Sequence, residues 1–140
     1  MRNMSWVLLA LIGAIFAALV AILGKIGLQG VDTTLATTIR AVIMAVFLVV
    51  VAAGFGKLNA GGWPQGKTLL FIALSGVAGA LSWLAMFAAL KVGPAPGVSA
   101  IDRTSVIFVL IFSVLFLGTQ FTWKAALGAA MIAIGAILLL

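Results

Sequence analysis

The chain has 140 residues, two-thirds of them hydrophobic, with 8 basic and 2 acidic side chains and a formal charge of +6. A soluble domain carries about a quarter charged residues, and a globule of this size has too little interior to hide so many apolar side chains; the composition excludes an ordinary soluble fold and points to an integral membrane protein. With no cysteine and no histidine, disulfides, thiol nucleophiles, imidazole bases and the usual zinc ligands are excluded as well.

The positive charge is not a nucleic-acid signal. The basic residues stand singly at positions 2, 25, 40, 57, 67, 91, 103 and 124, mostly at the ends of apolar runs, where Lys and Arg snorkel to headgroups. A nucleic-acid surface needs them clustered on one face. The expected contact is membrane lipid.

The first apolar run, about residues 6–24, follows Arg2 and is long enough to cross the hydrocarbon as a helix. It is longer than a usual signal core and contains no Ala-x-Ala pair, so it reads as a retained span. Gly13, Ala17 and Ala21 recur every fourth residue and give one small face. Asn3-Met4-Ser5 matches a glycosylation sequon but lies too near the terminus and the membrane to carry weight.

Asp32-Thr33-Thr34 reads as a helix start, since Asp or Thr can cap free amides. The second span runs over about 34–53, with Arg40 two turns inside and Thr33, Thr34, Thr37 and Thr38 near it. Arg40 either snorkels to the membrane edge or faces a polar cavity. Residues 54–66 form a polar loop broken by glycines, Asn59 and Pro64, flanked by Lys57 and Lys67, with Trp63 where an interfacial tryptophan belongs.

The third span is about 68–90. Ser75 and Gly79, and Gly76 and Ala80, form small pairs. Trp83 and Phe87 lie four apart on one face, either against lipid or core, or as the aromatic wall of a substrate pocket. Lys91 and Gly93 close this helix, and Pro94 and Pro96 prevent simple continuation. The fourth span, about 98–117, carries Ser99, Asp102, Arg103 and Thr104 in its first turns. The helix dipole favours Asp102 there but not Arg103, so the two reach other helices or the headgroup zone. The fifth span, about 124–140, aligns Ala125, Ala129 and Ala133 as a candidate intersubunit face.

The reading is an all-α, polytopic membrane protein with five transmembrane helices in one bundle and a single domain over 1–140. An intramembrane enzyme is disfavoured, because Asp32 and Asp102 are the only carboxylates and no base is placed to activate a serine. No catalytic residue, metal or cofactor is expected.

Lys25-Ile-Gly-Leu-Gln-Gly-Val-Asp32, Ile39-Arg40, Trp83-x-x-x-Phe87-x-Ala-Leu-Lys-Val-Gly-Pro-Ala and the Phe-Leu-Gly118 end of the fourth span together resemble the EamA-like domain of the drug/metabolite transporter superfamily, over essentially the full length. Members usually place a glutamate directly after Phe-Leu-Gly; here Thr119 and Gln120 follow, so no acid role carries over. Most members have ten helices in two inverted halves with the cavity between them, and this chain resembles one half. The resemblance implies a multi-pass transporter of small metabolites or drugs in a prokaryotic plasma (inner) membrane, without selecting the substrate.

A chain of five spans has its ends on opposite sides, so two copies in opposite orientations would rebuild an inverted repeat for alternating access. Arg2, Lys57, Lys67 and Lys124 fall on one side and Lys25, Arg40, Lys91 and Arg103 on the other, a balance that suits dual topology. The expectation is therefore a homodimer, antiparallel in the membrane. The alternatives are a non-transporting scaffold or accessory subunit, and one half of a heteromeric transporter. Arg40, Trp83, Phe87, Asp102 and Arg103 are the expected cavity residues, and the basic excess favours an anionic or zwitterionic cargo over a cation.

Overall fold

The computed structural model describes residues 5–58 and 63–140. Arg2, the sequon residues Asn3 and Met4, and the loop breaker Asn59 lie outside the described residues. Among the described residues the regular structure is helical throughout: α1 (Ser5–Gly27), α2 (Thr33–Gly54), α3 (Lys67–Val92), α4 (Ala95–Asp102), α5 (Ser105–Leu117) and α6 (Trp123–Leu138). Helices are the expected solution, because hydrocarbon offers no partner to an unpaired amide.

Among the described residues, four stretches are long and apolar enough to cross a membrane: Trp6–Gly27, Thr33–Gly54, Lys67–Val92 and Ala95–Leu117. At 1.5 Å per residue the shortest of these spans about 33 Å, enough for a hydrocarbon core of about 30 Å. α6 has 16 residues and reaches only about 24 Å. The fifth expected span is therefore present as a helix, but a shorter one than a full crossing requires. Burial is inverted relative to a soluble protein. Large side chains such as Phe47, Phe71 and Phe116 are exposed, whereas the buried apolar residues are mostly small, including Ala21, Ala95, Ala129 and Ala136.

The chain divides into two compact units, one of residues 27–91 and the other of residues up to 26 and from 92 onward. In the first, α2 and α3 form a helical hairpin. Asp32 caps α2 as its sequence position predicts: one carboxylate oxygen accepts from the Thr34 amide at 2.9 Å and from the Leu35 amide at 3.0 Å. Gly30 takes φ +75° in the turn before it. Lys91, in the last turn of α3, donates to the Val31 carbonyl at 2.9 Å.

The second unit holds most of α1 with α4, α5 and α6. Lys25 at the end of α1 donates to the Gly93 carbonyl at 3.0 Å, fixing the hinge ahead of α4. Pro94 caps α4 and Pro96 sits in its first turn, where a missing amide costs nothing. The fourth expected span differs from its sequence reading in two ways. It starts at Ala95 rather than near 98, because Pro96 initiates the helix rather than blocking it. It is also interrupted at Arg103-Thr104. There the amides shift to i−3 partners, Thr104 to Ile101 at 2.9 Å and Val106 to Arg103 at 3.3 Å. The Thr104 hydroxyl donates to the same Ile101 carbonyl at 2.6 Å, a back-bond of the kind that bends helices.

Two small-residue faces differ in part from expectation, with Ala21 kept in the packed face of α1. On α1, Gly13 would meet nothing within 4 Å if it carried a Cβ, and the residues facing α4 are Ala14, Ala18 and Ala21. On α6, Ala129 is buried within the chain, on the side facing α5. The Ala125, Ala129, Ala133 row is thus engaged internally at its centre and is not a free intersubunit face.

Gly118 ends α5 at φ +63°, and both its own amide and that of Thr119 return to the Ser113 carbonyl. A Gly118→Ala substitution forces a side chain into the left-handed region and should destabilise the protein by about 1 kcal/mol or more, read as an earlier unfolding midpoint in detergent. Asp32 gives a second expectation. The Leu35 amide foremost, joined by the Thr34 amide, the Lys91 charge and the Thr33 amide, outweighs the opposing effect of desolvation and holds its carboxyl below the ordinary range. A depressed folded pKa stabilises above the unfolded value and is lost as pH falls through the folded one. The wild-type midpoint should therefore drop below about pH 4, and Asp32→Asn, which still caps, should be flatter over that window.

Candidate functional site

α2 and α3 bring together three of the five residues singled out from the sequence. Arg40 lies seven residues beyond the start of α2, about 10 Å along its axis. Its guanidinium carbon stands 3.6 Å from the centroid of the Trp83 ring and 5.7 Å from that of Phe87. The two rings meet edge to face at 5.8 Å and 68°, the geometry favoured by ring quadrupoles. Their i,i+4 spacing on α3 puts them on one face. Phe87 is buried, while Trp83 and Arg40 are half-buried, so Phe87 anchors the indole and the indole carries the cation.

The threonines near Arg40 are committed to the backbone. Thr37 donates to the Thr33 carbonyl at 2.7 Å and Thr38 to the Thr34 carbonyl at 2.8 Å. Each hydroxyl proton is thereby used, leaving lone pairs only. Asp32, the one acid of this unit, is occupied by amides of its own helix. Among the described residues no hydrogen bond or ion pair reaches the Arg40 guanidinium. None of its nitrogens counts among buried unpaired atoms either, so they remain accessible.

Asp102 and Arg103 belong to the other unit, at the end of α4 and at the break before α5, and both are exposed. Arg103 lines a groove of about 450 Å³ with Ser99 and Ala100 of α4 and with Ala14, Ala18 and Ala21 of α1. Asp102 is not among the residues of that groove. A second groove, of about 500 Å³, lies between α5 and α6, with Ile107, Leu110, Val114, Phe121 and Ala129 in its wall. Every residue lining it is apolar, so it offers contact area but no group to orient a polar ligand.

The sequence marks Lys25 and Lys91 as helix ends but does not name their carbonyl partners, Gly93 and Val31. A single lysine in the last turn before a glycine-containing hinge is the available signal, since cations near a helix C-terminus find free carbonyls.

The Arg40–Trp83 contact is measurable. A double-mutant cycle of Arg40→Gln and Trp83→Leu should give a coupling of about 0.5–2 kcal/mol in unfolding free energy, and additive losses would separate the guanidinium from the indole.

Comparison with known proteins places the sequence. Residues 4–140 match the EamA-like transporter family. The chain is similar to a Sinorhizobium sp protein described as an uncharacterized transporter in cobO 3'region, at 42% identity over 137 residues covering 98% of this chain and 97% of that one. No solved structure matches it.

Proposed function

The chain belongs to the EamA-like transporter family, a family of multi-pass membrane transporters rather than enzymes, and on that premise we propose that it moves small metabolites or drugs by alternating access as an inverted homodimer. The observation that carries this reading is the near-complete mutual coverage with the Sinorhizobium protein. That protein is described as a transporter, and the match covers 98% of this chain and 97% of the relative. The inverted repeat that such transport uses is then supplied by a second copy.

In this reading α6 completes a fifth crossing, its 16 residues extended by Phe121 and Thr122 before it and Leu139 and Leu140 after it. The spans form a single domain. Arg40, Trp83 and Phe87 line the cargo path, with Asp102 and Arg103 at the break in the fourth span. A broken helix suits this role, because irregular backbone at membrane depth is tolerated where it lines a cavity. The even distribution of basic residues over the two sides supports insertion in both orientations. With Ala129 engaged inside the chain, the small pair Gly76 and Ala80 on α3 is the better face for the partner, since both residues are exposed and a Cβ at Gly76 would meet nothing within 4 Å.

Topology and assembly test this together. Single cysteines at Gln29 and Gln120, in turns on opposite sides of the proposed membrane, should each label from outside in only part of the population of intact cells. All-or-none labelling at both positions refutes dual topology and favours a separately encoded partner. Gly76→Leu should lower the dimer fraction recovered in mild detergent; an unchanged fraction moves the interface off α3.

A further inference from the structure

We infer that the N–H fork of Arg40 is a recognition site for an oxyanion, a carboxylate or phosphate group, and that the transported cargo carries such a group. The inference rests on the transport reading above and deepens it.

A guanidinium is planar, with five N–H donors pointing outward in its plane and none through its faces. In this protein one face lies against the Trp83 indole at 3.6 Å. Stacking therefore satisfies the face and leaves the edge. The edge has no acceptor among the described residues: Asp32 caps α2, and no hydrogen bond reaches Arg40 there. The nitrogens are nonetheless not sealed off, since no side-chain nitrogen or oxygen is both buried and unpaired. The cation is thus fixed in orientation by Trp83, which Phe87 meets edge-on, while its hydrogen-bonding edge stays open. Carboxylate and phosphate match that edge, because each can accept two parallel N–H bonds. A cation or a neutral apolar cargo would leave the charge unpaired.

Lipid phosphate and soluble anion share this chemistry, so the test separates them. Trp6, Trp63 and Trp123 are exposed and can be changed to Phe, leaving Trp83 as the sole fluorophore against the guanidinium. In nanodiscs of phosphatidylcholine, the full chain is titrated with sodium benzoate and with sodium phosphate, against sodium chloride at matched ionic strength. The expected result is a saturable change in Trp83 emission with benzoate or phosphate and none with chloride. Arg40→Gln should weaken the apparent affinity by about tenfold or more, the loss expected of a charge-assisted hydrogen bond. Arg40→Lys, which keeps the charge and the helix but not the fork, should fall between. No oxyanion-specific response in the parent, or the same response in both Arg40 variants, overturns the inference. A response to phosphatidylglycerol in the bilayer with none to soluble anions overturns the cargo assignment and leaves a headgroup site. Flux of labelled benzoate or phosphate into proteoliposomes separates the two levels of the claim. Binding at Trp83 without flux removes the transport reading and keeps the site. Flux that is indifferent to Arg40 keeps transport and removes the site.

Discussion

Hydrocarbon pays nothing back to a polar group left alone, and several polar groups within these spans are placed accordingly. Thr37, Thr38 and Thr104 turn their hydroxyls onto carbonyls of their own helices. Lys25 and Lys91 reach carbonyls beyond helix ends. Arg40 lies over Trp83. The magnitudes show which of these is incomplete. An arginine at the centre of a membrane helix costs about 2.5–3.5 kcal/mol on insertion scales, and a cation–π contact returns about 0.5–2 kcal/mol. Arg40 lies off centre, so its cost is lower, but stacking does nothing for its in-plane donors. Water or an oxyanion must meet them.

The break at Arg103-Thr104 follows from the same constraint. Ile101 offers one carbonyl to two donors, the Thr104 amide and the Thr104 hydroxyl, so the turn tightens and the α-helical ladder shifts to i−3 partners. Asp102 and Arg103, at this break, are both exposed, which would be costly if hydrocarbon surrounded them. Arg103 instead borders the groove between α1 and α4, whose alanines on α1 make the wall shallow enough for a long side chain to lie along it.

Much of this was legible in the residues. Apolar runs located the long helices to within a few positions, and Asp32 announced its cap because an acid before two threonines has amides to accept from. The association of Trp83 with Phe87 follows from their four-residue spacing, and their association with Arg40 from the cost of leaving that charge bare. The break in the fourth span was not legible: an apolar stretch of that length reads as continuous, and the hydrogen-bond shift at Thr104 is a matter of local geometry. Nor does a row of small residues name the helix that it meets. Ala129 shows this, since its spacing marks a close-packing face but α5, within the same chain, occupies it. The lysine–carbonyl ties are contacts across 68 and 60 residues, beyond the reach of any local pattern.

The position of Arg40 also bears on how an inverted pair would work. About 10 Å from the start of α2, it lies nearer one membrane face than the other. In a partner of opposite orientation the same residue lies nearer the opposite face. With a hydrocarbon core of about 30 Å, the two guanidinium groups would then differ in depth by on the order of 10 Å. At that separation two unit charges repel by no more than about 1.7 kcal/mol at an effective dielectric of 20. An anion moving between them removes that repulsion as it is passed from one fork to the other, whereas a cation would add to it. Inverted assembly would thus convert one off-centre arginine into a pair of sites, one facing each side, and would select the sign of the cargo by the same charge that the membrane makes costly.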